Sequence, residues 1–273
     1  MQLNNKIALA LVVAGAVALS SGAQQSTSRN AARPARVAGQ PNINGIWQAM
    51  NSANWNLEAH SAEKLEGFWQ LGSLAAIPAG MSVVDGDGKI PYKPEALAQR
   101  EENRAGWPKS DPETSCYLPG IPRANYMPFP FQIVQGGDDI LFVYTYASAN
   151  RLVNMGEPIE PPVDTWMGQS NGRWDGDMLV IETTGFNDRT WFDRAGNYHT
   201  SSLKVTERFT PVGENHLQYS ATIEDPNVFT RAWTISMPLY RHIEPSAQIL
   251  EFKCVPFVEE LLYKDLELPQ QRQ

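Results

Sequence analysis

Two hydrophobic patterns divide the chain. Before about residue 128, apolar positions come in short irregular groups; from Phe129 on, apolar and polar residues alternate. Period-two alternation is the mark of a strand with one buried face. FPFQIVQ, the turn Gly136-Gly137-Asp138-Asp139 and ILFVYTYAS predict a hairpin, and residues 151–154 a short strand. Gly172-Arg173-Trp174 leads into Asp175-Gly176 and MLVIETT, a second hairpin with the Asp-Gly turn such links favour. LKVTERF (203–209), HLQYSATI (216–223), FTRAWTISM (229–237) and ILEFKC (249–254) read as further strands. Strands at such short spacing predict a mainly β fold, an antiparallel β-barrel lipocalin-like in general shape, because closure removes exposed edges. A β-sandwich is the alternative.

The front of the chain reads differently. Gly45-Ile46-Trp47 opens a first strand. Residues 55–74 have a spacing compatible with a helix, and 93–103 predict one short helix, with Pro94 at its first turn. VVDGDGK (83–89) is a turn; it lacks the closing Glu of a calcium loop. Residues 107–130 hold six prolines and form an irregular Pro-rich arm.

Alternation also sorts side chains by face. Leu203, Val205, Glu207 and Phe209 share one face; Phe229, Arg231, Trp233, Ile235 and Met237 share another; Leu217, Tyr219, Ala221 and Ile223 point together between them. Glu207 and Arg231 thus stand among apolar side chains and need partners, since an unpaired buried charge is very costly. Each other, or Tyr219 between them, would serve. They are either a structural ion pair or the polar floor of a ligand cavity. Both faces of MLVIETT are apolar, so Glu182 takes no side.

Residues 185–202 form a polar link where a barrel mouth would lie. Here His199 is the candidate acid or base, with Asp188 orienting it; an ordinary surface loop is the alternative. Trp166, Trp191, Tyr219 and Trp233 are candidate walls of a substrate cavity, and Asp164 and Asp193 its polar rim. The four histidines are scattered, and neither a Gly-rich phosphate loop nor Gly-x-Ser-x-Gly occurs. The pattern calls for no metal and no organic cofactor.

Charge and composition narrow the partners. The 273 residues carry a net charge of −8 without a basic stripe, which argues against nucleic acid. Residues 1–23 read as a secretory signal: Lys6, the run IALALVVAGAVAL, then Ser21-Gly22-Ala23. The run is short for a membrane span, so the expected chain is periplasmic or secreted, with no stable span after cleavage; an N-terminal anchor is the alternative. Residues 24–40 read as a disordered linker and 41–273 as a single β-rich domain. Outside the cytoplasm Cys116 and Cys254 are expected to pair rather than stay free. No oligomeric state follows from the pattern.

The stretches FPFQIVQ, DTWMGQSNGRWDGDMLVIETTGFNDRTWFD, GNYHTSSLKVTERF and TIEDPNVFTRAWT, with NINGIW and CYLPGIPR before them, resemble a large group of exported bacterial proteins of unassigned function. That resemblance implies export and carries no activity. The residues themselves point to an exported barrel binding a small, partly aromatic molecule. As an enzyme it would do cofactor-free acid–base chemistry with His199, Asp188, Glu207 and Arg231; a carrier or a structural envelope protein is the alternative.

Overall fold

Nine strands close into a barrel in a computed structural model that describes residues 36–64 and 76–256. They are β3 (Gly45–Ala49), β6 (Phe131–Gln135), β7 (Asp139–Tyr144), β8 (Asn150–Asn154), β9 (Gln169–Asp175), β10 (Met178–Thr184), β11 (Lys204–Gly213), β12 (His216–Glu224) and β13 (Trp233–Arg241). Neighbours in chain order pair antiparallel, and β13 closes the ring on β3. The exception is β8 with β9, which run parallel. A parallel pair cannot be joined by a tight turn, and the Pro-rich link after β8 carries the chain back to start β9 in the same direction. Two small ladders lie outside the ring: β1 (Arg36–Val37) with β2 (Gln40–Pro41), and β4 (Glu63–Lys64) with β5 (Ala76–Ile77).

The interior follows the alternation. Val205, Glu207 and Phe209 of β11 lie opposite Thr183, Ile181 and Leu179 of β10 and opposite Ile223, Ala221 and Tyr219 of β12, and all nine are buried. Phe131, Ile133, Phe142, Tyr144, Val153, Ile235 and Met237 complete the filling. Phe142 sits 5.4 Å from Phe209, and Phe209 4.9 Å from Tyr219, between ring centres. Such offset aromatic contacts add to the area buried.

One helix, α1 (Leu97–Gly106), packs on the outside. Gly196 makes this possible. Its φ of +83° suits glycine, and a Cβ there would stand 2.7 Å from the Arg104 amide nitrogen and 2.8 Å from the Arg100 carbonyl.

Four expectations need correction. The strand expected at 229–237 begins only at Trp233. The Val228 and Phe229 amides turn back to the Asp225 carbonyl, and Thr230 N–H donates to the Pro91 carbonyl, so the pleat is broken before Arg231. Residues 249–254 form no strand: β3 already closes the ring, and no edge remains for them. Residues 55–62 are turns and extended chain rather than helix; 65–74 of that expected helix lie outside the described residues. The linker expected over 24–40 ends earlier, since β1 and β2 pair and Arg36 Nη2 bonds Asp177 at 2.7 Å. Residues 1–35, with the expected signal, lie outside the described ones.

Candidate functional site

The charge inside the barrel is a closed knot. Glu207, fully buried, accepts from Arg151 Nη2 of β8, not from Arg231. Its other oxygen accepts from Asn125 Nδ2 at 2.6 Å and from Tyr219 Oη at 2.9 Å. Tyr144 Oη donates to Asn125 Oδ1 at 2.9 Å. Arg151 Nε reaches Ser170 Oγ at 2.8 Å, and Nη2 also reaches Thr183 Oγ1 at 2.8 Å. Asn125 does not belong to a barrel strand; the Pro-rich arm delivers it into the barrel. Buried polar groups are stable when each has a partner, and in this knot only Arg151 Nη1 has none among the described residues. The expected hollow floor is therefore occupied by protein side chains.

Arg231 lies on the solvent side, for the backbone reason given above; its one hydrogen bond among the described residues is from Nη1 to the Ala232 carbonyl at 3.3 Å. Glu182, left unassigned by alternation, faces outward and bonds Arg173 at 2.8 Å and Lys204 at 3.3 Å.

The 185–202 link is a packed cap rather than an open mouth. Phe186, Thr190, Trp191, Phe192, Asp193, Asn197 and His199 are buried. His199 Nε2 lies 2.5 Å from Thr190 Oγ1, and Nδ1 lies 2.9 Å from the Thr200 carbonyl. A carbonyl only accepts, so Nδ1 carries the proton and both ring nitrogens are engaged. Burial lowers the His199 pKa from its ordinary value against small opposing effects of the Thr200 bond, Asp225 and Asp188. Asp188 is exposed and has no hydrogen bond to the ring, so the expected His–Asp couple is not assembled. Asp193 is a staple. It accepts from the amides of Leu57 at 2.8 Å and Ala195 at 3.0 Å, and from Asn197 Nδ2 at 2.6 Å. Burial pushes its carboxyl up to about 6 in spite of these donors.

The expected aromatic walls do not meet at one place. Tyr219 belongs to the interior knot. Trp233 packs edge-on against Phe192 and Phe229 at 5.8 and 5.3 Å. Trp191 is buried in a bridge with Tyr198. Trp166 stacks on Tyr117 at 4.9 Å, and Asp164 is exposed.

A different set of residues does converge, at the root of the Pro-rich arm. Arg123 is buried and forks onto Asp111 with bonds of 2.9 and 3.0 Å. It also bonds Glu113 Oε2 at 2.5 Å and Asn54 Oδ1 at 2.8 Å. Glu113 in turn receives Arg194 through Nε at 2.9 Å and Nη2 at 2.7 Å. Burial opposes ionisation of Glu113, but Arg194 and Arg123 outweigh it and hold the carboxyl at about 2. Arg194 is thereby fixed with its guanidinium 4.4 Å from the Trp55 ring centre and 5.8 Å from that of Trp107.

Beside this stack opens a pocket of about 130 Å³, lined by Trp55, His60, Glu63, Arg104, Trp107 and Arg194 among others. The indoles lie 5.8 Å apart and tilted by 59°. Two ring nitrogens of lining residues, His60 Nε2 and Trp107 Nε1, are enclosed by protein and have no hydrogen-bond partner among the described residues. A second pocket of about 220 Å³ lies on the other side of Arg194, walled by Phe129, Tyr146, Phe252 and Cys254. Cys116 and Cys254 are at disulfide distance, S–S 2.02 Å, and tie residues 252–255 to the arm.

The chain matches no protein-family model and no curated protein. Among the described residues no group of three His, Cys, Asp or Glu is placed to hold a metal ion. Arg151 was legible: the alternation that selected Glu207 places Arg151 with Val153 on one face of its strand. The pocket residues carried one weak signal, Trp55 and Trp107 standing outside every period-two run.

Proposed function

We propose that this is an exported barrel that binds a small, partly aromatic organic molecule without transforming it, in the outer pocket beside Trp55 and Trp107. The observation that carries the reading is the make-up of the pocket: two tilted indoles with the Arg194 guanidinium held against them by Glu113. Binding sites combine apolar walls with a few placed polar groups. The catalytic alternative loses its support because the His199 ring is enclosed, both its nitrogens are engaged by Thr190 and Thr200, and no hydrogen bond joins it to Asp188. Export is supported by the paired cysteines and by the Lys6-to-Ala23 pattern. No helix among the described residues is long and apolar enough to cross a membrane.

Tryptophan fluorescence against a panel of one-ring aromatic compounds tests the reading. Saturable quenching is expected, lost in Trp55→Ala and kept in His199→Ala. Quenching that survives Trp55→Ala and disappears in His199→Ala would return the site to the loop over 185–202.

A further inference from the structure

We propose that the outward face of β6, β7 and β8 docks another polypeptide, through a segment that carries Lys or Arg beside apolar side chains. This face shares no residue with the outer pocket and does not depend on that reading.

An antiparallel sheet that meets water turns polar residues outward. The far side of the barrel does so: Arg208, Ser220 and Ser236 are cross-strand neighbours in one outward row on β11, β12 and β13. On β6, β7 and β8 the matching row is Val134, Leu141 and Leu152, and Val143 shares the outward face of β7 with Leu141. Val134 is 42% exposed and Leu152 59%. Side chains opposite one another on paired strands lie about 5 Å apart at Cβ. The row is therefore a continuous apolar strip, the kind of surface that marks an interaction site.

The Pro-rich link after β8 extends the strip. Asn171 Oδ1 accepts from the Ile159 N–H at 2.9 Å, and Asn171 Nδ2 donates to the Ile159 carbonyl at 3.0 Å. Asn154, two residues from Leu152 on the same face, donates through Nδ2 to the Glu157 carbonyl at 2.7 Å. Ile159, half exposed, is thus held in place before any partner arrives.

Charge identifies the partner. Between Phe131 and Asn171 the chain carries Asp138, Asp139, Glu157, Glu160 and Asp164, all exposed, and their side chains make no ion pair or hydrogen bond among the described residues. The one cation in this stretch, Arg151, is turned inward onto Glu207. Asp139 lies two residues from Leu141 on the outward face of β7, about 7 Å along the strand and within the screening length of about 10 Å at 0.1 M salt. Glu157 is the residue pinned to Asn154, and Glu160 follows Ile159. A second copy would set the same carboxylates against these, and an anionic lipid surface is repelled likewise. Residues 24–35 of this chain are basic but hold no Val, Leu, Ile, Met or aromatic side chain; residues 257–273 hold four carboxylates against two cations. A foreign segment with apolar and basic side chains together matches both the strip and its rim. It lies across the side chains of strands already paired within the ring.

The test uses the full chain and isothermal titration calorimetry at about 0.1 M salt. Three synthetic heptapeptides serve as probes: Leu alternating with Lys, Ser with Lys, and Leu with Glu. None has an aromatic ring to offer the outer pocket. The Leu–Lys peptide should bind about tenfold more tightly than either of the others, the weight of burying one or two apolar side chains. Leu152→Ser, at an exposed position, should keep the melting temperature and erase the preference over Ser–Lys. Asp139→Asn with Glu157→Gln should narrow the preference over Leu–Glu about threefold. Equal binding of Leu–Lys and Ser–Lys overturns the proposal without any variant, because charge alone then suffices. So does Leu–Lys binding that Leu152→Ser leaves intact, or no binding of Leu–Lys at all. Sedimentation that shows a dimer, dissociated by Leu152→Ser, would give the face to a second copy and equally overturn it.

Discussion

The barrel interior and the pocket beneath α1 are built from the same materials: a guanidinium, a carboxylate and aromatic rings. They differ in how completely the polar atoms are satisfied. Around Glu207, six side chains from six elements close a network of hydrogen bonds, with Arg151 Nη1 as the one exception among the described residues. Around Trp107, the Glu113 ion pairs are as complete, but two ring nitrogens one layer further out have no partner among the described residues. A charge among apolar residues thus does not by itself mark a site. In the interior the charges lock a plug into the barrel; outside they hold a surface ready for something else.

That contrast can be broken most sharply at Arg151. Arg151→Met leaves Glu207 buried with its charge unpaired and should cost about 3–5 kcal/mol in chemical denaturation, the usual loss when one half of a buried pair is removed. A loss below about 1 kcal/mol, the size of an ordinary substitution, would mean that the knot does not hold the interior together.

Glu113 supplies the next effect. Its folded-state pKa of about 2 lies below the ordinary 4.5. A depressed carboxyl stabilises the fold above its unfolded value and loses that contribution as pH falls toward the folded one. Urea unfolding followed from about pH 5 to about pH 2 should therefore lose about 3 kcal/mol at this group. Glu113→Gln should start less stable and show a shallower acid slope; an unchanged slope would assign the acid sensitivity elsewhere.

The pocket should behave in the opposite manner. Arg104→Ala removes a half-exposed side chain whose only ion pair among the described residues is 4.0 Å long, so it should shift stability by less than about 1 kcal/mol. The same change should weaken binding of one-ring aromatic compounds that carry a carboxylate about tenfold, as one charge-assisted contact is lost. A large stability loss with intact binding would make this region structural like the interior.

The smallest effect is expected at Arg231. Exposed, and among the described residues bonded only to a neighbouring carbonyl, it should tolerate Ala within about 0.5 kcal/mol, as surface positions do, with binding unchanged. A loss comparable to that of Arg151→Met would restore the ion pair expected from alternation.

The closed barrel, the inward direction of Glu207 and Tyr219, the turn at residues 83–89 and the short helix were all legible in the chain. Pleat and turn chemistry are local, and a period of two survives whatever the strand pairs with. Arg231 departs from its expected face because the pleat of β13 does not run back through the turn, where the Asp225 carbonyl binds two amides and resets the phase. ILEFKC failed because an alternating segment forms a strand only where an edge is free.

Pairing across the molecule was decided by tertiary structure alone. Glu207 meets a guanidinium from β8 and an amide from the arm because ring closure and the arm's path bring them there. His199 loses its expected charge partner because the cap turns Asp188 outward. The pocket draws on residues from Trp55 to Arg194, held by ion pairs between segments that are remote in the chain. Alternation says which side a residue faces; which group stands opposite is set by how the barrel closes and where the arm enters it.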